Sequence, residues 1–243
     1  MKHRNILITN DDGIGSEGIR LLAETAARLG DVWVVAPAEQ CSAMSQRITI
    51  FDDLIIRERA FDAPVRAAWS VAGTPADCVK AALGRLLPVR PDVLFSGINN
   101  GFNAGFDVAY SGTIGAAMEG RMNGVPALAF SNAYQGSLGV AERELLPLLR
   151  QLLAEPIGDG AIWNVNFPGC AVEDCRGVLW GRTLAPTQLY RDQFSFFEEP
   201  DGALRMRNRG VPISQELAPE GTDVRAVLNG FISVGQVRCM VIE

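Results

Sequence analysis

Residues Ile6 to Gly18 read ILITNDDGIGSEG, and this stretch decides the fold. The opening run, Ile6 to Thr9, has the apolar and β-branched composition of a short buried strand. A polar turn with adjacent carboxylates, Asp11 and Asp12, follows it, and Gly13, Gly15 and Gly18 come next. A helical pattern then covers Ser16 to Leu29 and leads into a second apolar run, DVWVVA. Strand, helix and strand at this spacing make a βαβ unit, which requires a parallel sheet.

The alternation continues along the chain. RAAWSVAG is followed by TPADCVKAALGRLL, with Thr74 as N-cap and Pro75 at the first helical position. PDVLFS, the helical stretch Thr113 to Met122 and PALAFS repeat the pattern. After Ser137, LGVAERELLPLLRQLLAE predicts a long amphipathic helix interrupted by Pro147. Beyond Gly160, AIWNVNFP, GVLWGRTLA, GALRMRNRGV and GFISVGQVRCMVIE predict strands joined by turns. Tyr190 to Glu199 followed by PDG predicts a protruding hairpin suited to subunit contact. The fold class is therefore α/β with a mainly parallel sheet, without internal repeats.

Bulk properties narrow the function. At 243 residues, 48% hydrophobic and 21% charged, the chain can bury one sizeable core, or one core with an appended subdomain. A net charge of −6 argues against a nucleic-acid polymer or an acidic membrane as partner, since either wants a basic face. An anionic substrate would need local help from a metal or from backbone amides. No secretory segment or membrane-spanning run is evident, so a cytoplasmic enzyme or binding protein is expected. Cys41, Cys78, Cys170, Cys175 and Cys239 are scattered without a CxxC pair, which fits reduced thiols. The single histidine, His3, precedes the first strand, which excludes a Ser/His/Asp triad and an HExxH metal site.

In a parallel sheet, ligands gather at the C-terminal ends of the strands. Three polar or glycine-rich loops fall there: TNDDGIG, APAEQCSAMS and SGINNGFNAGFDVAYSGT. Adjacent carboxylates suit a hard divalent cation, which cancels their repulsion. Asp12 and Gly13 also make an ordinary Asp-Gly turn. The loop Ser96 to Thr113 offers Asn99, Asn100 and Asn103 as amide-oxygen donors, and ends where Ser111, Gly112 and Thr113 enter a helix. Such a helix start can face a phosphate or serve only as a cap. In the second loop, Ser42 or Ser45 could ligate a hard cation and Arg47 could offset phosphate charge. Alternatively, these residues and Gln46 are simply solvated.

TNDDGI, VVAPAEQCSAMS, AGTPADCV, PDVLFSGINNGFNAGFDVAYSGTIGAAMEG and GTDVRAVLNGFISV occur in the order found in one family. The chain resembles the SurE family, the stationary-phase survival protein E phosphatases. The resemblance implies a Rossmann-like three-layer core over about residues 1–168, within one SurE-like domain spanning 1–243. Residues 169–243 are then a β-rich extension used in homodimer or homotetramer contacts. It implies metal-dependent hydrolysis of nucleoside 5′- and 3′-monophosphates, extending to short polyphosphate. One divalent cation per subunit is implied, Mg²⁺ or Mn²⁺ ahead of Ca²⁺, with Asp11, Asp12, Ser42 and Asn99 as ligands. Asp11, Asp12 and Asn99 are the implied catalytic residues, and Asn10, Asn103, Ser111, Gly112 and Thr113 the implied phosphate environment. The chain departs from the family at Cys41, commonly Arg or another polar residue, and at Ala43, commonly Gly; 184–220 also matches poorly. Without a nearby histidine, general-base help falls to a carboxylate or to the cation's own water. The competing expectation is a nucleotide or phosphate sensor that binds without turnover. A dinucleotide enzyme is disfavoured, because the first βα turn carries NDDGIG in place of GxGxxG.

Overall fold

In the computed structural model, which describes residues 3–238, the opening stretch forms β1 (Arg4–Thr9). β1 pairs in parallel with β2 (Gly30–Pro37) on one side and β5 (Val93–Asn100) on the other. Its neighbours cover both edges, and helices cover both faces. Ile6 and Ile8 join one core with Ile19 and Leu22 of α1 (Glu17–Ala26) and Leu145 and Leu149 of α4 (Gly139–Leu152). Leu7 points to the opposite core, with Val79 of α2 (Pro75–Ala81) and Ala116 and Ala117 of α3 (Gly112–Met122). A strand buried on both faces needs apolar residues at successive positions, which explains the uninterrupted run. The result is a three-layer α/β sandwich.

The sheet has nine strands in the order β3-β4-β2-β1-β5-β6-β7-β11-β8. β4 (Ala67–Val71), β6 (Ala127–Asn132) and β7 (Ala161–Phe167) extend the parallel part. β3 (Ile56–Glu58) runs antiparallel at one edge. At the other, β11 (Ile232–Arg238) pairs antiparallel with β7 and parallel with β8 (Val178–Leu179). The segment after residue 168 thus returns two strands to the main sheet. It also forms the separate hairpin of β9 (Tyr190–Glu198) and β10 (Leu204–Pro212), whose Phe194, Phe196, Phe197 and Met206 are exposed.

Local signals act as expected at α2. Thr74 accepts from the Asp77 N–H at 3.2 Å while the Asp77 carboxylate accepts from the Thr74 N–H at 3.0 Å, a reciprocal capping box with Pro75 at the first helical position. Three expectations need correction. The loop expected from Ser96 begins only after Asn100, because Ser96 to Asn100 continue β5 alongside β6. α4 runs without interruption through Pro147, which lies on the exposed face, while the buried Leu145, Leu146, Leu148 and Leu149 hold the helix to the core. The missing N–H of Pro147 leaves an acceptor that water can satisfy there. GVLWGRTLA yields only the two residues of β8, because the chain turns at Gly181, whose φ is +69°. Cys239 and the rest of the CMVIE end lie outside the described residues; Cys41, Cys78, Cys170 and Cys175 are free thiols. Among the described residues, no helix is long and apolar enough to cross a membrane.

A third, small core of Ala104, Ala185, Leu189, Ala218 and Val224 joins the extension to the loop after β5. The buried Asp223, at the start of α5 (Asp223–Leu228), accepts from the Gly105 N–H at 3.0 Å and the Ala185 N–H at 2.9 Å. Gly105 has φ +57°, and a Cβ there would lie 2.2 Å from the Thr187 carbonyl oxygen. Gly105→Ala therefore meets both a left-handed backbone and a backbone clash. It is expected to lower the unfolding free energy by about 1–3 kcal/mol, measured by chemical denaturation.

A candidate active site at the strand ends

β1 leads directly into Asn10 and Asp11, both buried. The Asn10 amide donates to the Gly13 carbonyl at 2.9 Å and to Ser16 Oγ at 2.8 Å, closing the turn into α1. Its Oδ1 is buried without a partner. The Asp11 carbonyl accepts from the Cys41 N–H at 2.7 Å, which lays the loop after β2 against the end of β1. The Asp11 carboxylate accepts from Thr113 Oγ1 at 2.5 Å. Ser111 caps α3 by accepting from the Ile114 N–H at 3.1 Å. Between Ser111 and Thr113, Gly112 presses so close that a Cβ would lie 3.0 Å from Asp11 Cβ.

Asp12 is half-buried and reaches the end of β5. Its Oδ2 accepts from the Asn100 N–H at 2.7 Å, and its Oδ1 makes a longer 3.5 Å contact with Gln40 Nε2. Gln40 also donates to the exposed Ser42 Oγ at 3.1 Å, so it links Asp12 to the second loop. Asn99 donates its amide N–H to the Gly101 carbonyl at 2.8 Å, which leaves its amide oxygen as the acceptor end. Asp12, Asn99 and Asn100, with Gln40, Glu17 and Gln135, border a cleft of about 480 Å³.

Burial pushes the Asp11 carboxyl up to about 6; the Thr113 hydrogen bond opposes this and the Asp12 charge adds to it. Burial also raises Asp12, against the Asn100 N–H. Among the described residues, no lysine or arginine offsets either shift. Two neighbouring carboxylates without internal counter-charge form a strongly electronegative point at the ends of β1, β2 and β5.

The family model for Survival protein SurE matches residues 6–188. The chain belongs to the SurE family. It is 36% identical over 234 residues to 5′-nucleotidase SurE of Clostridium botulinum (strain Kyoto / Type A2), covering 95% of this chain and 91% of that one. With 5′-nucleotidase SurE of Synechococcus sp. (strain JA-3-3Ab), identity is 37% over 235 residues, covering 95% and 90%. The crystal structure of SurE protein from Aquifex aeolicus superposes with a TM-score of 0.82 at 34% identity, covering 96% of this chain and 93% of that one.

Within this SurE fold, Asp11 and Asp12 from the loop after β1, Ser42 from the loop after β2 and Asn99 from the end of β5 are tied to one another, and Gly112 and Thr113 pack against Asp11. The other residues of the second loop act as anchors. Ser45 donates its N–H to the Tyr110 carbonyl and its Oγ to the Ala109 carbonyl, each at 2.9 Å. Gln46 donates to the buried Glu119 at 3.1 Å. Arg47 lines a neighbouring cleft with Cys41, Met44 and Gly73, away from Asp12. Ala43 adopts φ +57°, a conformation that glycine takes more easily.

Asn103 sits deeper than its place in the loop suggests. Its N–H donates to Asn166 Oδ1 at 2.9 Å, and its carbonyl accepts from Asn164 Nδ2 at 2.8 Å and Asn166 Nδ2 at 3.1 Å. Its own amide donates to Ser131 Oγ at 2.8 Å. Asn164, Asn166, Ser131 and Gln40 were not singled out from the sequence. The available signal was AIWNVNFP, where two asparagines alternate inside a buried strand and must find partners.

The Asp11 shift gives a pH dependence of stability. Between pH 3.8 and about 6 the folded protein holds a proton that the unfolded chain has lost. The contribution of Asp11 is therefore fully present below the lower value and is lost as pH rises through the upper one. Denaturation in the presence of a chelator is expected to show stability falling across this window. Asp11→Asn, which keeps an acceptor for Thr113, is expected to remove that fall and stabilise the protein at pH 7 by ~2–3 kcal/mol.

Proposed function

We propose that this chain is a metal-dependent phosphomonoesterase that hydrolyses nucleoside 5′-monophosphates to nucleoside and phosphate. The observation that carries this reading is the Asp11 and Asp12 pair, buried or half-buried, raised in pKa and without a basic partner, beside the first turn of α3. The names of the curated relatives support the nucleotidase part.

The donor set fits a divalent cation. Asp11, Asp12, Ser42 and Asn99 offer only hard oxygens, which suit Mg²⁺, Mn²⁺ or Ca²⁺, and the uncompensated carboxylates favour a positive charge between them. When bound, such an ion supplies charge neutralisation and a more acidic water. The chain's own groups do the rest. Thr113 holds the Asp11 carboxylate in a fixed orientation through its hydroxyl. The first turn of α3 presents N–H groups and the Ser111 hydroxyl to an anion. As water attacks phosphorus, the new P–O bond forms while the bond to the ribose oxygen breaks. Asp12 borders the cleft, and its Oδ1, which has only the long 3.5 Å contact with Gln40 while Oδ2 is held by Asn100, takes the proton of the water. The proton taken up by Asp12 passes, directly or through solvent, to the leaving ribose oxygen, which departs as the hydroxyl and returns Asp12 to its carboxylate form.

The same reading includes activity on 3′-monophosphates and short polyphosphate, and a cytoplasmic homodimer or homotetramer. The free thiols support the compartment, and the exposed aromatic residues of β9 support assembly.

Purified protein with Mg²⁺ or Mn²⁺ is expected to release phosphate from AMP, and a chelator to stop release. Asp11→Asn and Asp12→Asn are each expected to lower kcat by roughly 10²–10³-fold or more. A panel of 5′- and 3′-monophosphates and polyphosphate, assayed with each metal, defines the substrate range. Nucleotide binding with no phosphate release across metals and pH values would identify a sensor and overturn hydrolysis.

A further inference from the structure

β7 is buried along its whole length and apolar apart from Asn164 and Asn166, which are 3% and 0% exposed. Alternate residues of a strand share a face, so the two amides stand side by side. The strand does not need them for its ladder, because β6 and β11 already pair with its backbone. Buried amides are costly unless hydrogen-bonded, and these two find their partners at a single place. Both main-chain groups of Asn103 are taken by them, and Ser131 of β6 takes the Asn103 side chain. Four hydrogen bonds from two strands converge on one loop residue.

Asn103 lies between Asn99 and Ser111, in the loop that joins the acceptor amide of Asn99 to the first turn of α3. Upstream, the loop is fixed to β6 through the Gly101 N–H and the Asn132 carbonyl at 3.0 Å. Downstream, it is fixed to the extension through Gly105 and Asp223. Between these ties, the depth of the loop against the sheet is set by the clamp on Asn103. A network with every member satisfied holds its members to one geometry, whereas a partly satisfied one does not.

We propose that Asn164 and Asn166, with Ser131, are positioning residues for phosphoryl transfer. They hold Asn103, and through it set where Asn99 and the start of α3 stand relative to Asp11 and Asp12. The inference rests on the phosphomonoesterase reading. None of the three touches the reacting atoms; each acts through the loop.

The test uses the full-length protein, with kcat and KM for AMP measured in Mn²⁺ and expressed per folded molecule from near-UV circular dichroism. Asn166→Ala and Asn164→Ala are expected to lower kcat ~10–100-fold while KM changes less than about threefold. Ser131→Ala, which removes one oxygen, is expected to give a smaller fall in the same direction. Because all three release the same residue, Asn166→Ala combined with Ser131→Ala is expected to lose little more than the larger single loss. If Asn166→Ala does not fold, Ser131→Ala and Asn166→Ser decide the matter by the same split. Variants with wild-type kcat and only a lower melting temperature would overturn the inference, as would losses that multiply in the double variant. A wild-type protein inert toward AMP would overturn the phosphomonoesterase reading and this inference with it. An active wild type with unaffected variants overturns the inference alone.

Discussion

The site depends on placing a carboxylate, Asp11, in near-complete burial at the end of the central strand, next to a second one. Burial alone would make this position hostile to charge, and its pKa moves accordingly. The chain tolerates it by making Asp11 a junction. Its carbonyl holds the loop after β2, its carboxylate holds the start of α3, and its neighbour Asp12 holds the end of β5. Three segments that would otherwise be independent are thereby referred to one pair of residues.

Much of this was legible in the sequence because the relevant signals are local. The apolar run of β1, the capping residues Thr74 and Ser111, and the Asp-Gly turn after Asp12 each depend on residues within a few positions of one another. The hairpin of β9 and β10 was legible for the same reason. What was not legible depends on distant contacts. Asn103 reads as a loop residue until Asn164 and Asn166, far along the chain, take its backbone. Ser45 and Gln46 read as solvated until the loop before α3 and Glu119 of α3 meet them. Pro147 reads as a helix breaker until the flanking leucines prove to be buried, so that packing outweighs one lost hydrogen bond.

The extension is more than an appendage. β11 completes the main sheet beside β7, and Asp223 joins the loop after β5 to the segment that leads into β9. The Leu189 N–H also donates to the Asp107 carboxylate at 3.2 Å, immediately before β9 begins. The exposed hairpin and the loop of the candidate site therefore share a root. In a parallel α/β sheet the chemistry gathers at one end, and here the hairpin grows from that same end.

The scarcity of histidine has a further consequence. The chain's one imidazole, His3, pairs with Asp31 at 3.3 Å, before β1 begins and at the far end of the strand from Asp11. The thiol nearest the site, Cys41, is pushed up by burial, and Cys78 behind it is pushed up further. Among the described residues, no imidazole lies at the site and its thiols are held neutral by burial, which leaves Asp11 and Asp12 as the groups whose ionisation can be read there. In the protein free of cation and substrate, an acid-side titration followed at the site therefore belongs to the two neighbouring carboxylates together, and its steps describe the pair and not either residue alone.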